Sequence, residues 1–410
     1  MGCLESLVFQ FDQKKSATRF RQMRRMTILP RPNWQEKVES KGLTIHSMDG
    51  RPYWNESACY LFSQDEIDTL ETAITELYRI CVEATGVVIE RGLWDQFGIP
   101  VAFADWIKQS WEVDQPSVYG RFDLSWNGSG PPKMLEFNAD TPTSLVEASV
   151  IQWFWLEDRV ADGLGQGWDQ FNSIHEKLIA SWTEIGASER VAKLHVAAMT
   201  DQPEDMMTAV YMLDVARQAG LEASLIDMSA IGYNAVQRSF VDLINDPIDM
   251  IFKLYPWEWL LREQFGRSLS GAECLWVEPP WKMIMSSKAI LPLLWELFPN
   301  HPNLLWAGWE KPSSGVGNYV SKPIYGREGA NVQIETADGS TIASQDGPYA
   351  DGPFSQRIYQ AFAPLPEYQG MRPVIGGWVI GGECAGIGIR EDDGPITTNF
   401  SRFVPHAIED

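Results

Sequence analysis

Tyr119-Gly120-Arg121-Phe122-Asp123 and, a short step later, Lys133-Met134-Leu135-Glu136-Phe137-Asn138 decide how this chain reads. An Arg-x-Asp precedes a Glu-x-Asn. On an extended strand, residues two apart share a face. Arg121 and Asp123 therefore form one pair, Glu136 and Asn138 the other. Between them, Trp126-Asn127-Gly128-Ser129-Gly130-Pro131 carries the Gly and Pro of a hairpin turn. Folding the hairpin gathers three oxygen ligands and one guanidinium. Hard oxygens suit Mg²⁺, and a cation beside Mg²⁺ suits phosphate. The pattern predicts a phosphoryl-transfer site. The competing reading is a strand whose alternate polar residues are simply its solvated face.

A second signal lies far along the chain, at Ser321-Lys322-Pro323-Ile324-Tyr325-Gly326-Arg327-Glu328-Gly329-Ala330-Asn331-Val332. Lys322 ends a strand, a loop bearing Gly326 and Gly329 follows, and a new strand runs from Val332 to Glu335. Glycines let backbone N–H groups approach phosphate oxygens, and lysine adds a point charge. The loop lacks the Gly-Lys-Ser/Thr of a Walker A loop, and taken alone it also fits a plain β-turn. Lys288 opens a short helix, Ala289 to Phe298, which Pro292 makes start late or kink. Ile358-Tyr359-Gln360-Ala361-Phe362 reads as a strand, with Gln360 and Phe362 available to flank an adenine ring. Gly376 to Gly382 reads as a hairpin. The strand Ala385 to Glu391 brings Arg390, and Thr397 to Ser401 is a polar stretch near the C-terminus.

Composition sets the frame. With 410 residues, 44% hydrophobic and 21% charged, the chain is an ordinary globular protein with room for two or more lobes. A formal net charge of −22 argues against nucleic acid as a partner. The 18 tryptophans read mainly as core and interlobe packing. Five cysteines are scattered without a Cys-x-x-Cys pair, so neither zinc nor a disulfide framework is supported, and scattered thiols suit a reducing cytoplasm. No apolar run is long enough to span a bilayer. Residues 1–25 are basic without an apolar core, so they read as a flexible extension and not a secretory signal. Met1 to Ser6 matches a short myristoylation pattern.

The remaining segments place these motifs. Ser63-Gln64-Asp65-Glu66 is a capping box, and Ile67, Leu70, Ile74, Leu77 and Cys81 recur behind it at helical spacing. Residues 100–118 predict a further helix and loop with Trp106 and Trp111 inward, and Thr143 to Glu157 has helical composition. A strand at Val191 to Met199, a helix at Glu204 to Ala219 capped by Gly220, and a strand at Leu221 to Ile226 form a βαβ unit, hence a parallel sheet. No Gly-x-Gly-x-x-Gly loop accompanies it, so a dinucleotide site is not supported. The fold class is mixed α/β. Its segments are the 1–25 extension, a lobe at 26–190 carrying the hairpin, a βαβ lobe at 191–285, and a lobe at 286–410 carrying the phosphate loop.

These strings together resemble the synthetase domain of glutathionylspermidine synthase and its stand-alone relatives, acid–amine ligases of the ATP-grasp superfamily. The residues that carry the resemblance are 119–123, 135–142 (Leu-Glu-Phe-Asn-Ala-Asp-Thr-Pro), 278–282 (Glu-Pro-Pro-Trp-Lys), 286–288 (Ser-Ser-Lys), 322–329 and 388–391 (Gly-Ile-Arg-Glu). They occur in the family's order from about Met26 to the end. The Arg-x-Asp and Glu-x-Asn segments precede the lysine strands, as in the circularly permuted, glutathione synthetase-like branch. The resemblance implies an ATP-grasp fold with a preATP-grasp substrate lobe. It implies that Asp123, Glu136 and Asn138 hold Mg²⁺ and that Arg121 contacts the transferred phosphate. Lys288 and Lys322 would contact ATP phosphates, with Arg390 at the reacting end. The amidase domain of bifunctional relatives has no matching Cys/His signature here, so only the synthetic half is implied.

The reaction so implied is ATP- and Mg²⁺-dependent amide formation between a small-molecule acid and an amine, through an acyl phosphate, in the cytoplasm and without nucleic acid or membrane. The acid and amine are left open, as is the oligomeric state. An acidic surface suits a polyamine by long-range attraction. Two other readings use the same residues. One is an ATP-dependent small-molecule kinase, which a product assay for phosphoester against amide separates. The other is a non-catalytic nucleotide-binding protein, against which stands the full complement of charged residues.

Overall fold

The computed structural model describes residues 22–409 except 49, 192, 314 and 351–353. The expectations for residues 1–21, the myristoylation pattern among them, lie outside the described residues. Three sheets matter for the site. The first is antiparallel and five-stranded, in the order Arg402–Val404, Glu383–Asp392, Arg372–Ile380, Tyr119–Ser125, Lys133–Asn138. The second, also antiparallel, runs Ala307–Gly308, Arg357–Ala361, Tyr319–Pro323, Gln333–Glu335, Thr341–Ser344. The third is parallel, in the order Leu275–Val277, Met250–Leu254, Lys193–Ala198, Glu222–Asp227.

The parallel sheet contains the βαβ unit read from sequence. Its helix spans Pro203–Gln218, with proline in the first turn and Gly220 at φ +89 just beyond its end. The first sheet unites the Arg-x-Asp hairpin with strands from the last forty or so residues, so it crosses the segment boundary drawn at 286. The glycine run 376–382 divides: Gly376 and Gly377 lie within Arg372–Ile380, and the turn falls at Gly381-Gly382. Gly376 lies opposite Asp123, and a Cβ there would sit 2.9 Å from Arg121 Cδ. Glycine at 376 therefore makes room for the Arg121 side chain.

The capping box forms as the sequence predicts. Ser63 Oγ accepts from the Glu66 N–H, Glu66 accepts from the Ser63 N–H, and the helix runs Gln64–Arg91. Ile67, Leu70, Ile74, Leu77 and Cys81 are all buried and pack beneath the first sheet. The helix Ile290–Leu297 takes Pro292 in its first turn, where a missing N–H costs nothing.

Packed structure is already present ahead of residue 26. Met23 is buried, and Arg24–Thr27 is a strand paired with Ala58–Phe62, which in turn pairs with His406–Ile408. Arg25 bonds the fully buried Glu391 through two contacts, at 2.8 and 2.7 Å. A run of basic residues gave no hint of this, because the partner lies more than three hundred residues away.

Candidate active site

The hairpin register answers the question the sequence raised. Arg121 lies opposite Asn138 and Asp123 opposite Glu136, with a bulge just after Asp123. All four side chains face one cleft, and the strand Tyr119–Ser125 is buried throughout. A solvated strand face is thereby ruled out. The string Glu278-Pro-Pro-Trp-Lys282 fixes the start of this strand. Buried Glu278 accepts from the Val118 and Tyr119 N–H groups at 2.9 and 3.0 Å, while Lys282 donates to the Tyr119 carbonyl at 3.0 Å.

Across the cleft stand the lysines. All eleven residues singled out from sequence line this single cleft: Arg121, Asp123, Glu136, Asn138, Lys288, Lys322, Gly326, Gly329, Gln360, Phe362 and Arg390. Five strands of the first two sheets carry seven of them, Lys288 stands just before the helix Ile290–Leu297, and Gly326, Gly329 and Phe362 lie in loops. The cleft holds about 180 Å³ of free space.

Its charges are paired with one another. Arg121 donates to both Asp123 oxygens at 2.8 and 3.3 Å and to the Thr143 carbonyl at 2.5 Å. Arg390 reaches Asp123 Oδ2 at 2.6 Å. Lys288 lies 3.3 Å from Glu136 and donates to the Gly326 carbonyl at 2.7 Å. Lys322 donates to Gln360 Oε1 at 2.8 Å and to the Leu135 carbonyl at 2.9 Å. Burial alone would raise the Glu136 carboxyl, but Lys288 and Lys322 hold it well below the usual carboxylate range. Burial pushes the Lys322 ammonium down to about 8, with Glu136 pulling the other way.

Some side chains have tasks the sequence did not reveal. Gln360 is buried, and its amide bridges Lys322 and the Met134 carbonyl, so it steadies the lysine. Gly329 has φ +70, and a Cβ on it would fall 2.5 Å from the Thr397 carbonyl oxygen. The loop bearing Gly326 and Gly329 thus lies tightly against the C-terminal polar stretch. Arg327 donates to Thr141 at 2.6 Å and lies over the Trp259 ring. Thr141, Arg327 and the buried Glu258 also line the cleft. Arg327 sits in a string already noted, whereas Glu258 had no spacing or neighbour to betray it.

Three neighbouring hard-oxygen donors on two paired strands, beside lysines suited to phosphate, fit a hard divalent cation. Among the described residues there is no group of three or more His, Cys, Asp or Glu that could hold a metal, so the donor set here is two carboxylates and an amide. Among the same residues, no helix is long and apolar enough to cross a membrane.

Two antiparallel sheets closing on a charged cleft, with a parallel βαβ sheet alongside, make an ATP-grasp fold of the glutathione synthetase-like kind. A glutathione synthetase-like effector from Globodera pallida shares this fold. It matches with a TM-score of 0.56 over 92% of this chain and 96% of its own, at 10% identity. Residues 25–409 match the family described as glutathionylspermidine synthase preATP-grasp, and the chain belongs to that family. A Haemophilus influenzae protein bearing the provisional name acid–amine ligase is 39% identical over 94% of this chain and 99% of its own. Trypanothione synthetase of Crithidia fasciculata is 32% identical over 82% of this chain. The bifunctional glutathionylspermidine synthetase/amidase of Escherichia coli is 26% identical over 84% of it. This chain spans 54% and 58% of the lengths of those last two. By class, the protein is an ATP-dependent carbon–nitrogen ligase.

Proposed function

We propose that this ligase activates a small-molecule carboxylate as its acyl phosphate and passes the acyl group to an amine, with Mg²⁺ as the metal. The observation that carries the reading is the meeting of Arg121, Asp123, Glu136 and Asn138 with Lys288 and Lys322 in one cleft. The names of the relatives point to a thiol peptide such as glutathione as the acid and a polyamine such as spermidine as the amine.

Each residue has a task in that chemistry. Asp123, Glu136 and Asn138 would hold Mg²⁺, which when bound neutralises phosphate charge as a Lewis acid. Lys288 and Lys322 exchange their present carbonyl and amide partners for phosphate oxygens. Gly326 and Gly329 keep the loop backbone close enough to cover the phosphates. Gln360 and Phe362 line the same cleft, where an adenine ring would lie between strands. Arg121 is aimed at the place where charge develops as the phosphoryl group moves, and an already oriented, buried donor stabilises that charge without reorganising. Arg390, bonded to Asp123, stands at the acyl end. Closing the 326–329 loop over Thr397 excludes water, which protects the acyl phosphate from hydrolysis.

The test is a screen of acids and amines with ATP and Mg²⁺, read by mass spectrometry for the amide and by phosphate release. Amide formation that requires acid, amine and nucleotide together is the expected result. A phosphoester product in place of an amide would make the protein a kinase. Full activity after rigorous removal of divalent ions with EDTA would overturn the metal assignment.

A further inference from the structure

A second space opens on the stretch that follows Arg390. That stretch joins the strand Glu383–Asp392 to the strand Arg402–Val404. Its Pro395 and Ile396 line both the nucleotide cleft and this recess. Arg51, from the short hairpin that pairs Ser47–Met48 with Arg51–Pro52, lines the recess as well. The free space is about 310 Å³. A water's share of liquid volume is about 30 Å³, so the recess has room for a small organic molecule.

Five charged side chains line it: Arg51, Glu391, Asp392, Asp393 and Arg402. Two of the carboxylates are engaged. Buried Glu391 accepts from Arg25 at 2.8 and 2.7 Å, from the Tyr60 hydroxyl at 2.8 Å and from Asn55 at 3.0 Å. Asp392 accepts from Ser401 Oγ at 2.7 Å and from the Asp393 N–H at 2.8 Å, which shapes the turn. Arg402 lies opposite Glu391 across the strand pair, but Arg25 already holds that carboxylate. Neither the Arg402 nor the Arg51 guanidinium has a hydrogen bond or ion pair among the described residues, and the exposed Asp393 carboxylate has none there either. Two guanidiniums and one carboxylate are thus left unpaired around one space. Phe400, 56% exposed, and Met371 add apolar surface to it.

We propose that this recess holds the head group of an α-amino acid, and that the amine this ligase acylates is the side-chain amine of a diamino acid. The proposal rests on the ligase reading given above. An amino acid head carries one carboxylate beside one ammonium, and the unpaired set complements both. Guanidiniums bond a carboxylate through paired N–H groups, and Asp393 accepts from the ammonium. Phe400 and Met371 flank the alkyl stem, and the side-chain amine reaches the cleft past Pro395 and Ile396. A polyamine brings only cations and would set them against Arg51 and Arg402. In the reaction, the amine nitrogen gives its ammonium proton to water and bonds the acyl carbon. The carbon–oxygen bond to phosphate breaks, its electron pair leaves with the phosphate, and the nitrogen's surplus proton follows to the phosphate.

Lysine and cadaverine differ only by the carboxylate, as do ornithine and putrescine. The experiment titrates these four into protein saturated with a non-hydrolysable ATP analogue and Mg²⁺, and follows amide formation with glutathione as acid. A buried site built to bond a polar group rejects an analogue lacking it by about 10⁴-fold or more. Here Arg51 is exposed and Arg402 half-buried, so the diamino acids should bind about a hundredfold tighter than the diamines, because solvent screens such contacts. Arg402→Ala and Arg51→Ala should each lose at least about tenfold of that preference while leaving cadaverine binding unchanged, and Arg402→Lys should keep part of it. The ratio of kcat/KM for lysine to that for cadaverine should follow the same order. Equal affinity for lysine and cadaverine, or a preference that survives in Arg402→Ala, would overturn the assignment, and so would acylation of cadaverine without acylation of lysine. No amide with any amine would overturn the ligase reading and the claim that the amino acid is acylated, while the titration still decides whether the recess takes its head group.

Discussion

Replacing Arg121 with alanine separates binding from chemistry. Arg121 gives two hydrogen bonds to Asp123 and one to the Thr143 carbonyl, and it is 5% exposed. Breaking a buried ion pair outright typically costs about 3–5 kcal/mol. Here Asp123 keeps Arg390 at 2.6 Å, so the stability loss should fall below that range and the variant should fold. Lys288 and Lys322 still meet the nucleotide, so its Kd should change by less than about threefold, because a donor aimed at developing charge contributes little to ground-state binding. Turnover is another matter. Removing one oriented donor typically lowers kcat about a hundredfold, on the order of 2.7 kcal/mol. Arg121→Lys should fall between, since an ammonium keeps the charge but not the two-pronged contact with Asp123. The assay pairs calorimetric titration of a non-hydrolysable ATP analogue with a turnover measurement, and circular dichroism checks the fold. A folded Arg121→Ala protein that turns over normally would refute the active-site assignment.

Five further expectations can be checked directly. Lys322→Ala should weaken nucleotide binding before it affects turnover, the reverse of Arg121→Ala, and titration of both variants decides it. Lys322 carries its charge below about 8 and loses it above, so nucleotide affinity should fall as the pH rises from 7 to 9, and Lys322→Arg should remove that slope. Deleting residues 1–22 should leave thermal stability and ATPase activity within about twofold, whereas Arg25→Ala, which strips buried Glu391 of its cation, should lower stability by about 3–5 kcal/mol in a denaturant melt. Hydrogen exchange over residues 319–335 should slow when ATP and Mg²⁺ are added, as expected of a lid, and an unchanged rate would count against closure.

How much of this site was legible depends on the range over which each residue finds its partners. The Arg-x-Asp and Glu-x-Asn pairs could be read because the strand period of two and a Gly/Pro turn are local, and a hairpin brings together residues close in sequence. The glycine–lysine loop was legible for the same reason. Gln360 was picked out as a strand residue beside the nucleotide, but its grip on Lys322 and the Met134 carbonyl depends on a neighbouring strand and the hairpin. Glu258 carried no signal at all. It stands between two tryptophans, and only the packing of distant segments buries its carboxyl.

The sequence by itself determined the hairpin and its facing pairs, the capped helix, the βαβ unit and the kinds of charge the site would contain. These follow from short-range periodicity, turn chemistry and helix capping, each set within a few residues. Tertiary structure alone decided which charges meet. The first sheet joins residues 119–138 to residues 372–404, so that Arg390 reaches Asp123. The strand at Arg24–Thr27 closes on Glu391 from the far end of the chain. Such pairings depend on desolvation and register across hundreds of residues. A charge is worth little until the fold has taken it out of water and fixed its partner.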